Sequence, residues 1–197
     1  MNNYHLLYNQ MPWDAASLNI NPNTIDYNVS IPVGLMKSIE GKYFVGIADD
    51  LRFGNATNAW ARLYNPPNSG VNLYIDNWTV SDILTTPYRV RAWFNCTPTG
   101  FIEFSQNVAP SNMTIVPQPR SHIFLQYAIS VSGFPTDGIG AFVRYGLEGT
   151  NITSVEEGKF IFPPGGSFLI SLSNPENPTL PATGSIFFGW WEEPIIR

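Results

Sequence analysis

Charged residues are scarce in this chain of 197 residues. Asp, Glu, Lys and Arg make up 13% of the sequence, against roughly 25% in average globular proteins. Lysine occurs only as Lys37, Lys42 and Lys159, and the formal net charge is −5. Because nucleic-acid binding needs a dense Lys and Arg footprint, we expect no nucleic-acid partner. A surface that is polar but weakly charged repels copies of itself little, which favours self-association.

Residues that build disulfides, metal sites and nucleophilic sites are also few. Cys96 is the single cysteine, which excludes an intrachain disulfide and predicts a small buried side chain. His5 and His122 have no second His, Cys or Asp at metal-ligand spacing. Neither a G-x-S-x-G elbow nor a phosphate-binding loop is present. We therefore predict no catalytic residue, no metal and no cofactor, and a protein that is not an enzyme.

Long apolar segments are absent as well. No run approaches the roughly 18 apolar residues that a membrane-spanning helix needs, so we expect no membrane span. The N-terminus, Met1 to His5, has neither a basic region nor an apolar core of the kind found in signal peptides. We expect synthesis in the cytoplasm without a signal peptide, and the final location stays open between a spore surface, an inclusion and a virion.

Carboxylates occur in three adjacent pairs, Asp49-Asp50, Glu156-Glu157 and Glu192-Glu193. Neighbouring residues on a strand point to opposite faces, so such a pair does not converge on one glycosidic bond. The first pair also lacks the alternating acidic pattern of a Ca²⁺ loop, and a turn or a helix cap is its expected place.

Strand-like alternation between turn residues is what the chain has in abundance. Apolar residues repeat with a period of two at 160–162, 168–172 and 186–190, and clusters rich in Pro, Gly and Asn separate these runs. The predicted strands are Tyr27–Ile31, Lys42–Ile47, Ala59–Tyr64, Val71–Val80, Tyr88–Asn95, Phe101–Ser105, Met113–Val116, Ile123–Ser132, Gly140–Tyr145, Lys159–Phe162, Ser167–Ser173 and Gly184–Trp191. The pattern predicts an all-β fold, a single antiparallel β-sandwich of jelly-roll type.

Two further features refine this prediction. The apolar parity of the strand at 71–80 switches between Ile75 and Trp78, which predicts a β-bulge there. Short helices are possible only at Val33–Ile39 and at 49–58, where Gly54 weakens the second case.

Residues 1–26 form a predicted N-terminal arm, and 27–197 the sandwich domain. The arm is apolar but interrupted by Asn and Pro, so we expect it to be extended. Tyr4, Leu6 and Tyr8 share one parity, and Trp13 would anchor the arm at its base. Such a segment can pair with an open sheet edge of a second copy, or it can fold over its own subunit.

Trp190 and Trp191 are neighbours on a predicted strand, so one of the two must leave the core. That residue covers a loop, meets another subunit or binds a ligand. The candidates for an assembly interface are therefore Tyr4, Leu6, Tyr8, Trp13, Trp190 and Trp191.

Two stretches carry a resemblance to a known group of proteins. Residues 65–73 read N-P-P-N-S-G-V-N-L, and the C-terminal region combines P-P-G-G-S at 163–167 with G-W-W-E-E-P at 189–194. Together they resemble small jelly-roll-like proteins of unknown function from Gram-positive spore-forming bacteria and their phages. The resemblance implies a surface or assembly role and carries over no catalytic residue.

These observations favour a non-enzymatic structural protein that assembles with copies of itself, as a component of a spore surface, a filament, a crystalline inclusion or a virion. A carbohydrate-binding β-sandwich module is the alternative, because exposed aromatic side chains on a sheet can stack on sugar rings. A pore-forming or insecticidal β protein is a third possibility. The expected partner is another copy of the chain, with glycans as the alternative.

Overall fold

The computed structural model describes residues 5–7, 16–20 and 27–195, with side chains described from residue 30 onward. Strands account for 57% of the chain and helix for 4%. The strands are β1 (His5–Leu7), β2 (Ala16–Ile20), β3 (Tyr27–Ile31), β4 (Tyr43–Phe53), β5 (Asn58–Tyr64), β6 (Val71–Ser81), β7 (Tyr88–Phe94), β8 (Glu103–Phe104), β9 (Val108–Pro110), β10 (Phe124–Val131), β11 (Ile139–Gly146), β12 (Ile152–Phe162), β13 (Ser167–Ser173) and β14 (Ala182–Pro194). The helix α1 (Val33–Ile39) lies where the sequence predicts it.

Eight of these strands form a jelly roll. Strands β4 to β7 and β11 to β14 alternate between two antiparallel sheets, in the orders β12-β6-β14-β4 and β11-β7-β13-β5. The segment β8–β10 extends both sheets, because β9 adds to β4 and β10 adds to β5, with β8 outermost. The result is a five-stranded sheet packed on a six-stranded sheet. The predicted all-β antiparallel sandwich is confirmed.

Aromatic side chains fill the space between the two sheets. Trp78, Trp190, Phe168 and Phe188 are fully buried there, at the apolar positions of their strands. A side chain of this size buries about 150–250 Å², which corresponds to on the order of 4–6 kcal/mol of favourable transfer free energy. The period-two pattern of the sequence therefore identifies the residues whose burial between the sheets stabilises the fold.

A second, smaller cluster lies outside this space. Trp60, Cys96 and Leu169 pack together, and the indole nitrogen of Trp60 donates a hydrogen bond to the carbonyl of Thr99. The buried position predicted for Cys96 is confirmed. Burial raises the pKa of its thiol to about 11, against the opposing charge of Arg62.

The bulge predicted in β6 is also present. Asn77 pairs with Gly189 of β14, while Ile75 pairs with the next residue, Trp190, so Asp76 is the extra residue of β6. The neighbouring strand β12 is interrupted at the same level, between Val155 and Phe160.

One predicted strand is wrong, and the weaker of the two helix candidates is not a helix. Residues 113–116 form turns, because the side-chain oxygen of Asn112 accepts hydrogen bonds from both the backbone nitrogen and the hydroxyl of Thr114. Residues 49–58 are not helical: β4 continues to Phe53, and a tight turn closed by hydrogen bonds between Gly54 and Thr57 leads into β5.

The N-terminal region is more structured than an extended arm. β1 pairs with β2, and β2 pairs with β3, so these three strands form a separate antiparallel sheet. β3 belongs to this small sheet, and the strands of the sandwich begin at Tyr43. Leu6 lies in β1 opposite Leu18. Tyr4, Tyr8 and Trp13 lie outside the described residues.

Candidate functional site

A recess of about 600 Å³ lies between α1 and the outer face of the five-stranded sheet. We call it the helix-side pocket. The residues that line it are Pro32, Val33, Gly34, Leu35, Ser38, Tyr43, Asp76, Ser111, Val155, Glu157 and Trp191. Its volume falls within the range of ordinary small-molecule sites.

Trp191 forms the floor of the helix-side pocket. Its ring stacks on that of Tyr74, with centroids 5.4 Å apart and planes 8° from parallel. On the β12 side it meets Gly158, where an added Cβ would lie 2.2 Å from the indole. Trp191 is consequently 5% exposed, and it presents little of its ring to a ligand.

A hydrogen-bonded group of three side chains lies beside this floor. The hydroxyl of Tyr43 donates to Oδ2 of Asp76 at 2.6 Å, and Nδ2 of Asn77 donates to both of these oxygens. Burial, followed by the carboxylate of Asp76, raises the pKa of Tyr43, so this hydroxyl stays protonated. Gly189 makes the arrangement possible, because a Cβ there would lie 2.5 Å from the Tyr43 hydroxyl.

Backbone irregularities bring two carboxylates to the pocket. Asp76 is the bulged residue of β6, and Glu157 lies in the interruption of β12 with a positive φ of 52°. Bulges redirect side chains and recur beside functional sites, and a positive φ on a residue other than glycine is a strained conformation. The two acidic side chains thus reach one recess from neighbouring strands.

An ion-pair cluster attaches α1 to the sheet. Lys37 pairs with Glu40 and with Glu193 of β14, and Lys42 pairs with the same two carboxylates. Burial alone would raise the pKa of Glu40, but hydrogen bonds from Lys42 and Lys37 outweigh it and lower that pKa. Burial alone would lower the pKa of Lys42, but the hydrogen bonds of Lys42 to Glu40 and Glu193 outweigh it and raise that pKa. Two of the three lysines of the chain therefore hold the helix that covers the pocket.

Ser121, His122 and Glu192 form a cluster that resembles a catalytic group in composition but not in geometry. The buried carboxylate of Glu192 accepts hydrogen bonds from the Ser121 hydroxyl at 2.6 Å and from the backbone nitrogen of His122. Nδ1 of His122 lies 2.9 Å from the same carboxylate, and Nε1 of Trp190 donates to it. A nucleophile needs a base that takes its proton, whereas here Ser121 and His122 both bind the carboxylate. The cluster fixes the chain before β10 against β14.

The free edge of β11 is a second surface of interest. β11 is the outermost strand of the six-stranded sheet, and β7 is its one partner among the described strands. Ile139, Val143 and Tyr145 of this strand are exposed. Arg144 is its single charged residue, and this side chain turns away to Trp78 and to the hydroxyl of Ser154.

The structure gives the two predicted site residues of β14, Trp190 and Trp191, different surroundings. Trp190 and Trp191 face opposite sides of β14, as expected, but Trp190 is completely buried between the sheets and leaves no surface for a second copy. Trp191 leaves the core and lies under the β12 interruption, where it lines the helix-side pocket. It is the one pocket residue that was also predicted as a site residue, and the parity switch at Ile75–Trp78 marks the position of Asp76.

Within the described residues, no group of three His, Cys, Asp or Glu side chains could hold a metal ion. Nor does the described part of the chain contain a helix long and apolar enough to cross a membrane.

The fold and the pocket define a jelly-roll β-sandwich with a recess of mixed polar and apolar lining on the outer face of one sheet. The chain belongs to a family described as "Family of unknown function (DUF6143)", whose model matches residues 19–197. No curated protein and no solved structure matches it. The match begins within β2, so most of the predicted arm precedes it.

Proposed function

We propose that the protein is a non-enzymatic structural component that assembles with copies of itself through the free edge of β11. The observation that supports this proposal is that β11 is a long edge strand with only one irregularity, the register shift between Gly140 and Phe142. Among the described residues, the backbone of its regular part, Phe142 to Gly146, is paired on the β7 side alone, and such an edge is a template for a further strand.

The other three edges of the sandwich are blunted. β8 has two residues, and β9 has three and ends at Pro110, which cannot donate a hydrogen bond. β12 is interrupted between Val155 and Phe160. β11 has no lysine and no proline, and its one arginine is directed inward. A second copy of β11 is the simplest strand to complete this edge, because antiparallel pairing about a two-fold axis is self-complementary.

The test is to place a charge on this edge. Val143 is 49% exposed on β11, and Ile161 is 47% exposed on the interrupted strand β12. We expect the unmodified protein to form dimers or larger particles in light scattering after size exclusion, V143K to be monomeric, and I161K to assemble normally. A monomeric unmodified protein, or equal assembly of both variants, contradicts the proposal.

The N-terminal arm offers a different route to the same assembly, with Tyr4, Leu6, Tyr8 and Trp13 as its contacts. Deletion of residues 1–12 distinguishes the two. Assembly by pairing of β11 with β11 survives this deletion and is lost in V143K, whereas assembly through the arm is lost on this deletion, whichever edge the arm pairs with. The settings we propose are a spore surface, a filament, a crystalline inclusion or a virion, reached after synthesis in the cytoplasm.

The second candidate function is glycan binding. The helix-side pocket favours it, because hydroxyl, carboxylate and aliphatic groups converge there on a recess of about 600 Å³. Binding on a glycan array that is lost when the pocket is blocked by G34W supports this function, and an array without any bound glycan contradicts it.

A further inference from the structure

The helix-side pocket has an unequal distribution of charge. Among the described residues that line it, the two charged ones, Asp76 and Glu157, are acidic, and none is a lysine or an arginine. The nearby Lys37 and Lys42 are engaged by Glu40 and Glu193. Lys159 lies 3.7 Å from Glu157, but both side chains are highly exposed, so this pair screens the carboxylate only weakly.

Within the described part of the chain, the hydrogen bonds of Asp76 all go to one of its two oxygens. Oδ2 accepts the hydrogen bonds of Tyr43 and Asn77, and no hydrogen bond from another described residue reaches Oδ1. Because Tyr43 and Asn77 hold the carboxylate from one side, its orientation is set before a ligand arrives. A carboxylate accepts strong, charge-assisted hydrogen bonds from hydroxyl or ammonium groups.

Apolar contact in the pocket comes from aliphatic side chains. Leu35 and Val155 are exposed on its walls, whereas Trp191 is 5% exposed, with its ring stacked on Tyr74 and close to Gly158. The pocket therefore suits a ring that offers C–H groups to aliphatic walls and hydroxyl donors to acidic acceptors. It does not suit a ligand that requires an open aromatic platform.

We infer that the helix-side pocket binds neutral and amino-bearing sugar units and rejects acidic ones, with Asp76 and Glu157 as the residues that determine this selectivity. The inference rests on the second candidate function. A ligand carboxylate would meet two acidic side chains and, among the described lining residues, no lysine or arginine. Like charges placed together in this way oppose binding of the wrong partner. A ligand ammonium or hydroxyl group would find acceptors at the same positions.

The test uses the full chain and three disaccharides: cellobiose, the glucosamine disaccharide and a glucuronic-acid disaccharide. Titrations followed by ¹⁵N NMR report on the indole resonance of Trp191 at the floor of the pocket. We expect the neutral and the amino disaccharide to shift this resonance. The acidic disaccharide should not do so at the same concentrations.

The variants D76N and E157Q keep the size of each side chain and remove its charge. We expect each to weaken binding of the amino disaccharide by about tenfold, as loss of one charge-assisted hydrogen bond implies. The control D137N changes an exposed carboxylate in a loop outside the pocket and should bind as the unmodified protein does. The same spectra show whether each variant is folded.

Equal binding of the acidic and neutral disaccharides overturns the inferred selectivity but leaves glycan binding intact. The inferred selectivity is also overturned if D76N and E157Q both bind the amino disaccharide as D137N does. If none of the three sugars shifts the Trp191 resonance, glycan binding by this pocket fails as well. Particle size is measured separately, so none of these outcomes bears on the proposed assembly.

Discussion

At the scale of single residues, the two motifs that carry the resemblance prove to be structural and to contact each other. Asn65 begins the first motif and is completely buried. Its Nδ2 donates to the carbonyls of Val71 and Phe162, and its backbone bonds to Gly165 and Gly166 of the second motif. One amide side chain thus ties the turn before β6 to the turn between β12 and β13.

We expect Asn65→Ala to lower the free energy of unfolding by about 2–3 kcal/mol, because two buried carbonyls lose their donor. Asn68→Ala, in the exposed part of the same turn, should change it by less than about 0.5 kcal/mol. Urea denaturation measures both values. Equal effects of the two substitutions would show that Asn65 does not join the motifs.

The ion-pair cluster at α1 predicts a dependence of stability on pH. The pKa of Glu40 is lower in the folded protein than in the unfolded chain, so its contribution is present above the unfolded pKa and disappears as the pH falls through the folded pKa. We expect the free energy of unfolding to decline below about pH 4.3, the ordinary pKa of a glutamate.

Lys42→Met should make this acid decline shallower, because Lys42 is one of the residues that lower the pKa of Glu40. Lys159→Met serves as the control, since its partner Glu157 is highly exposed. Denaturation at a series of pH values checks the prediction. Identical pH profiles for the two variants would contradict it.

At the scale of elements, strands were predictable from sequence where alternation was strong and unbroken. Ser167–Ser173 and the helix Val33–Ile39 agree in both bounds, and the parity switch in β6 identified a real bulge. β12 was predicted only from Lys159 onward, because the interruption at Glu157 and Gly158 breaks the alternation of its first half. The helix-side pocket could not be predicted, since residues of α1 and of that interruption line it together although they lie far apart in the chain.

Gly158 is the residue on which the β12 interruption depends. Its φ is +75°, and an added Cβ would lie 2.2 Å from the Trp191 ring. We expect Gly158→Ala to destabilise the protein by about 3 kcal/mol or more, from strain and overpacking together. Gly149→Ala has a similar φ of +70° but open space around it, and should cost only about 1 kcal/mol for backbone strain.

Thermal or urea unfolding of these two glycine variants separates two contributions to the loss of stability, overpacking against Trp191 and backbone strain. Equal destabilisation would mean that the ring does not require a glycine.

At the scale of the whole molecule, the sequence predicts the arrangement of the sheets better than it predicts which strand edge is open to pairing. The all-β sandwich follows from local periodicity, but an unprotected edge appears only when every strand has its neighbours. The sequence of β11 resembles that of the other strands. β11 is an edge because the sheet order is β11-β7-β13-β5, which leaves it with a neighbour on the β7 side. The low charge of the chain favours association in general but points to no particular surface for it.

Hydrogen exchange of the β11 amides, measured at several protein concentrations, tests assembly through this edge most directly. Residues 139–146 should exchange faster on dilution, because outward-facing amides that are paired in the assembly become exposed in the monomer. Amides of β13, at the centre of the same sheet, should be unaffected. β11 amides that exchange at one rate at all concentrations, in a protein whose particle size does change with dilution, would contradict assembly through β11.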